Sequence, residues 1–227
     1  MLSKERTQTA KAMKKLEIPK IAIGNYDTEK LNETFVTLTA QKIECCNWPK
    51  QFPYTPEVSF KAFHNGEKLF LQFCVTEKDI HSVIEENFGQ VWTDPCVEMF
   101  ISPEEGCYYN FECTCIGRML AACHRTDAET VRMPPETLAT IERYPSLGND
   151  NFALREGETT WSMIEVIPAT TLFNHKLESW EGKSMRANFY KCGDNLPHPH
   201  FLSWNKIDFE RPKFHLPEFF GEVTFAK

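Results

Sequence analysis

No stretch of this chain is apolar for long enough to cross a bilayer, and its first twenty residues, MLSKERTQTAKAMKKLEIPK, carry basic residues without the apolar run of a secretory leader. A basic surface is lacking too. The 25 Lys and Arg are scattered among 32 Asp and Glu, for a formal charge of −7, so neither nucleic acid nor membrane is an expected partner. Nine cysteines cannot all pair within a monomer, and no C-x₂-C pair of the kind that holds zinc is present. Free thiols and the missing leader point to a cytoplasmic, reducing setting, or to a periplasmic or secreted one if a signal has been trimmed ahead of Met1. There is no G-x-S-x-G element, no phosphate loop, no Cys–His nucleophile pattern and no internal repeat.

What is present is strand patterning. Hydrophobic residues make up 41% of the 227 and charged ones 25%, an ordinary globular balance, and the expected organisation is a lead-in over 1–29 and one domain over 30–227. Val58–Phe63 and Lys68–Val75 flank Asn65-Gly66, a hairpin signal. Further alternating runs fall at 96–101, 108–115, 119–123, 160–167 and 184–191, with short closing strands at 201–204 and 222–225. Helical patterns are few: a charged lead-in over 3–16, Pro134–Tyr144, and a short turn from Pro168 to Phe173. Many strands with few helices predict an all-β fold, a two-sheet antiparallel β-sandwich.

The segment VWTDPCVEMFISPEEGCYYNFECTC, from Val91 to Cys115, carries the chemistry. Strand geometry sends Val97, Met99 and Ile101 to one face and Glu98 to the other, and sends Tyr109, Phe111, Cys113 and Cys115 inward while Asn110 and Glu112 face away. An indole beside carboxylates suits a pyranose, whose apolar C–H face takes the ring while its hydroxyls take polar groups. Each residue also has a plainer reading: Trp92 as a core or loop anchor, Glu98 as a carboxylate paired with Arg186 or solvated, Asp94 as a turn residue bonding backbone amides. Trp48 and Trp161 are read as structural. Cys113, Cys115, Cys123 and His124 lack zinc spacing, the cysteines are read as buried thiols, and His198-Pro199-His200 is read as a loop.

The chain resembles carbohydrate-binding module family 9, particularly its single-domain bacterial members. Trp92-Thr93-Asp94-Pro95-Cys96-Val97-Glu98-Met99-Phe100-Ile101 is similar to its W-x-D-x-x-V-E-x-F-I pattern, Trp161 with Glu165-Val166-Ile167-Pro168 to its W-x-x-E-x-x-I-P, and Arg186-Ala187-Asn188-Phe189-Tyr190 to a later R-x-N-F strand. Ser203-Trp204 and the Pro212–Gly221 segment complete an ordered likeness over about residues 30–227. The resemblance implies a jelly-roll-like sandwich gripping a terminal mono- or oligosaccharide between two aromatic rings, in carbohydrate catabolism and without catalysis. On this likeness Trp92 is the first ring, with Asp94, Glu98, Arg186 and Asn188 beside it, and the second ring comes from Trp204, Phe209 or Phe214. It implies no required cofactor beyond a structural calcium ion. A glycoside hydrolase or an accessory domain of one, using Glu98 and Glu112, is the alternative, since hydrolysis needs two carboxyl groups about the scissile bond.

Overall fold

In a computed structural model, which describes residues 13–227, alternation within each run decides what faces what. The strands are β1 (Lys15–Ile18), β2 (Gln41–Lys42), β3 (Cys45–Cys46), β4 (Glu57–His64), β5 (Lys68–Ser82), β6 (Cys96–Glu104) and β7 (Cys107–Thr114). They continue with β8 (Met119–Arg125), β9 (Val131–Arg132), β10 (Glu142–Pro145), β11 (Phe152–Pro168), β12 (Ser184–Cys192), β13 (Phe201–Ser203) and β14 (Gly221–Phe225). Two short helices, α1 (Thr28–Val36) and α2 (Pro135–Leu138), interrupt them. One sheet runs β1-β14-β12-β6-β7-β8-β9, with β13 and β3 attached beside β12, and the other runs β10-β11-β5-β4-β2. Among the described residues all pairings of these strands are antiparallel except β1 with β14, and an isolated parallel bridge joins Lys20 to His64.

The expected hairpin is β4–β5, with Gly66 at φ +102°, a conformation that favours glycine. Between the sheets, Val97, Met99, Ile101 and Phe111 from one side meet Phe60, Phe73, Trp161 and Met163 from the other. Phe60 stacks on Phe189 with centroids 3.9 Å apart, joining β4 to β12 across the interface. Burying these rows stabilises the fold by ~25 cal/mol per Å² of apolar surface. Trp161 and Trp48 are structural, as read: Trp161 Nε1 donates to Glu77 (2.7 Å) and Trp48 Nε1 to the Phe209 carbonyl (2.8 Å). All nine cysteines are unpaired.

Three local expectations need correction. The helical lead-in over 3–16 lies mostly outside the described residues, but its last residues, Lys15 and Leu16, are strand, in parallel register with Glu222 and Val223. That pairing spans nearly the whole chain and leaves no local trace in sequence. The helix over Pro134–Tyr144 stops at Leu138, because Glu142–Pro145 pairs with β11 instead, with Tyr144 opposite Ile164. Helix α1 was not anticipated; Asp27 caps it by accepting from Lys30 N at 2.9 Å, and it buries Leu31 and Phe35.

The parallel β1 edge also makes a tight spot. A Cβ on Gly221 would lie 2.5 Å from Trp204 Cζ3 and 2.7 Å from the Lys14 carbonyl oxygen. Gly221→Ala is therefore expected to cost about 1–3 kcal/mol through forced displacement of packed atoms. A urea unfolding midpoint equal to that of the parent protein would show that the edge yields freely.

Candidate functional site

Glu98, Asn110, Glu112 and His124 sit on the face of β6, β7 and β8 turned away from the inter-sheet core. This outer face is covered rather than solvated. The chain after β13 folds across it, so that Phe100, Tyr190, Phe214, Leu216 and Phe220 form a second apolar cluster, in which Tyr190 stacks on Phe214 at 4.2 Å. Beside that cluster is a cavity of about 530 Å³. Trp92, Phe201 and Phe214 supply aromatic surface, Glu98, Asn110, Glu112, His124 and Asp194 supply polar groups, and Arg132, Lys213 and His215 also line it. Trp92 is half-buried, held in a short 3-10 turn between β5 and β6, and its carbonyl accepts from Asp194 N at 3.1 Å.

Hydrogen bonds run in one direction through the polar row. Asn110 Nδ2 donates to Glu112 Oε1 (2.8 Å), so Asn110 Oδ1 is the acceptor for His124 Nε2–H (2.9 Å), and His124 Nδ1 accepts from Thr130 Oγ1 (3.1 Å). Glu112 thus ends the chain as acceptor. His124 also stacks on Tyr108, centroids 4.7 Å apart, and the Tyr108 hydroxyl meets His215 Nδ1 at 2.9 Å.

Burial disfavours charge on the carboxyl and imidazole groups of the cavity wall. It lifts Glu112 to about 7 against the hydrogen bond from Asn110, lifts Asp194 to about 6 against the attraction of Lys191, and raises Glu98 well above the usual carboxylate range, the neighbouring Cys192 adding to the effect. It also lowers His124, and it takes His215 down to about 4 with help from His124 and Lys213. Glu98 Oε1 accepts from the Cys192 thiol at 3.0 Å, and the lowered pKa values of His124 and His215 favour their neutral rings. A neutral imidazole can give one hydrogen bond and receive another without a net charge to desolvate.

Of the site residues expected from sequence, the structure brings Trp92, Glu98 and Phe214 to this cavity, together with Glu112, and places five elsewhere. Asp94 is fully buried and its Oδ2 accepts from Ser82 Oγ (3.1 Å), Val83 N (2.8 Å) and Ile84 N (3.0 Å), which is the amide-bonding reading. Asn188 lies opposite Phe100, where the covering chain buries it: its amide donates to the Asn205 carbonyl at 3.1 Å and its Oδ1 accepts from Asn205 N at 2.8 Å. Arg186 is not paired with Glu98; its guanidinium donates to the carbonyls of Glu218 (3.0 Å) and Phe220 (2.8 Å). Trp204 belongs to the inter-sheet core, edge-on to Phe60 and Phe189. Phe209 does not line the cavity, and Phe201 does. Alternation on β7 and β8 would have pointed to Asn110 and His124; nothing local marks Phe201, Arg132 or Asp194.

Calcium prefers about six to eight oxygen ligands. Among the described residues, the tight groupings of ligand atoms are Cys96–Glu98–Cys192 and Glu104–Cys107–His175, each with one carboxylate beside softer donors. Neither set fits that ion.

Against known proteins, residues 29–225 match the sequence profile of carbohydrate-binding family 9. A candidate carbohydrate-binding protein from Bacteroides uniformis is 39% identical, with a TM-score of 0.89 over 94% of this chain and 100% of that one. A family 9 carbohydrate-binding module from Caldicellulosiruptor kristjanssonii in complex with cellotriose is 10% identical, with a TM-score of 0.55 over 94% of each chain, a likeness of fold. The same source provides a family 9 module in complex with glucose, 10% identical, with a TM-score of 0.50 over 93% of this chain and 95% of that one. No curated protein sequence matches.

Proposed function

The chain belongs to carbohydrate-binding family 9, and from that premise we propose that the cavity under the covering chain takes a terminal sugar without cleaving it, in the service of carbohydrate catabolism. The observation that carries this is the meeting, in one cavity, of the aromatic surfaces of Trp92, Phe201 and Phe214 with the hydroxyl-matching row Glu98, Asn110, Glu112 and His124. A pyranose ring is amphipathic in the same way, apolar on its face and polar at its edge. Trp92 covers the face. Phe214, fixed against Tyr190, is the second ring, in place of the Trp204 and Phe209 alternatives. Glu112, the terminal acceptor of the Thr130–His124–Asn110 chain, and Glu98 bind the hydroxyl edge. Glucose and cellotriose, carried by the two distant structures, are reasonable first probes.

Calorimetric titration of the full chain against a panel of mono- and disaccharides tests this. Trp92→Ala is expected to weaken binding by about 1–3 kcal/mol, or roughly 5–150-fold, through loss of the stacked surface. Glu98→Gln keeps the shape and a hydrogen-bonding oxygen and should cost less. Wild-type affinity in a folded Trp92→Ala protein would remove this cavity from consideration. Cleavage of a bound disaccharide, abolished by Glu98→Gln or Glu112→Gln, would instead establish the hydrolase reading, for which these two residues stand directly opposite each other in register.

A further inference from the structure

On the inner side of the same sheet, at the end of the β6–β7 hairpin, a second cluster has no part in the sugar site. We propose that Glu104, Cys107, Cys123 and His175 form a binding site for a zinc-class divalent transition-metal ion. The ligand atoms of Glu104, Cys107 and His175 all lie within 4.8 Å of one another. Cys123 lies outside that grouping but adjoins Cys107, Sγ to Sγ 3.5 Å, and would close on the ion as the fourth ligand; His175 Nε2 is 3.3 Å from Glu104 Oε1. A tetrahedral zinc ion with bonds of ~2.3 Å to sulfur and ~2.0–2.1 Å to nitrogen or oxygen has edges of ~3.8 Å between two sulfurs and ~3.3 Å between nitrogen and oxygen. The two observed separations are close to these edges without a metal present.

The surroundings also suit a ligand histidine. The Tyr109 hydroxyl lies 2.7 Å from His175 Nδ1 and already accepts from Asn174 N at 3.1 Å. If Nδ1 carries the proton and donates to Tyr109, the Nε2 lone pair is free to face Glu104, the usual outer-shell arrangement for an imidazole ligand. The hairpin is pinned as well: Ser102 Oγ donates to the carbonyls of both Glu104 (2.8 Å) and Cys107 (2.6 Å). Cys107 and Cys123 are buried whereas the Glu104 side chain is 52% exposed, which leaves a route in for the ion. Burial holds the Cys107 thiol up at about 12, so binding must displace its proton to solvent. Arg125 now lies 3.4 Å from Glu104 and would give way to the cation, keeping its 3.1 Å contact with Asp127. The thiol and imidazole donors select a borderline-soft metal over calcium or magnesium.

Reduced, metal-stripped full-length protein titrated with cobalt(II) should develop a thiolate-to-metal charge-transfer band that saturates at one equivalent and is abolished by zinc. Cys107→Ser should weaken the band, and Cys107→Ser/Cys123→Ser should abolish it. Glu104→Gln, at an exposed position, should keep the fold by circular dichroism and weaken cobalt binding by at least ~10-fold, as His175→Gln should; these two carry the test if Cys107→Ser does not fold. No band at stoichiometric cobalt, or an unchanged band and affinity in Glu104→Gln and His175→Gln, overturns the site. Saccharide titrations do not enter this readout, so it stands or falls separately from the sugar cavity.

Discussion

Lys191→Met is expected to destabilise the fold by about 3–5 kcal/mol, the usual consequence of stripping one partner from a buried ion pair. Lys191 continues the inward row of Ala187 and Phe189 on β12, and Glu77 continues the inward row of Phe73 and Val75 on β5, so the pair ties one sheet to the other. Both side chains are fully buried, with Lys191 Nζ 2.9 Å from Glu77 Oε2 in an ionic contact rather than an aligned hydrogen bond. The ammonium donates to the Cys192 carbonyl (2.8 Å) and to His200 Nε2 (2.7 Å), while Trp161 Nε1 donates to Glu77 Oε1 (2.7 Å). Burial, with Lys191 beside it, holds His200 well below its ordinary value, so the ring is the neutral acceptor and its Nδ1–H donates to the His198 carbonyl at 2.9 Å. Methionine fills the stem of Lys191 but leaves the Glu77 carboxylate buried without its cation, with the Trp161 indole as donor and the His200 ring 3.4 Å from Oε2. The double variant Lys191→Met/Glu77→Gln should recover part of the loss, because the stranded charge has gone. Urea unfolding with an unchanged m value measures both, and a loss below ~1 kcal/mol in the single variant would show that the pair contributes nothing net.

That pair illustrates where sequence reading ends. The two faces of β6 and β7 were legible, because each alternates apolar with polar residues over several positions, and so was the Asn65-Gly66 hairpin between β4 and β5. The aromatic and carboxylate elements of the cavity, Trp92, Glu98 and Glu112, were legible for the same reason. Asn188 shows the limit: the resemblance put it beside Trp92, but nothing in the strand pattern tells of a covering segment folding back from Asn205 to Phe220. The same segment decides that Arg186 holds backbone carbonyls rather than Glu98, and that Phe214 rather than Trp204 or Phe209 reaches the cavity. Glu77 and Lys191 carry a weak signal, a charge at the end of an apolar row, which acquires meaning only when two rows distant in sequence are brought face to face. The β1–β14 pairing carries none.

Glu165 is another ionisable side chain in an apolar row, and among the described residues it has no hydrogen-bond partner. It shares the inward face of β11 with Trp161, Met163 and Ile167 and is fully buried. Burial lifts it from the ordinary 4.5 to about 8, with Arg143 and the Cys113 thiol opposing the rise. Glu165→Gln is therefore expected to stabilise the protein in a pH-dependent way. Below pH 4.5 the carboxyl is protonated both in the fold and in the unfolded chain, and the isosteric change should do little. Between 4.5 and about 8 the unfolded chain sheds a proton that the fold retains, so the parent protein loses about 1.4 kcal/mol of stability per pH unit from this group. Above that window the loss levels off at roughly 4–5 kcal/mol, a penalty the glutamine variant never incurs. Glu98, Glu112 and Asp194 are raised by burial as well and steepen the profile of both proteins alike, so the difference between the two profiles isolates Glu165. Urea unfolding at acid, neutral and alkaline pH gives that difference directly. A gap of the same size at every pH would mean that Glu165 keeps an ordinary affinity for its proton inside the sandwich, and that a charged carboxylate is tolerated there.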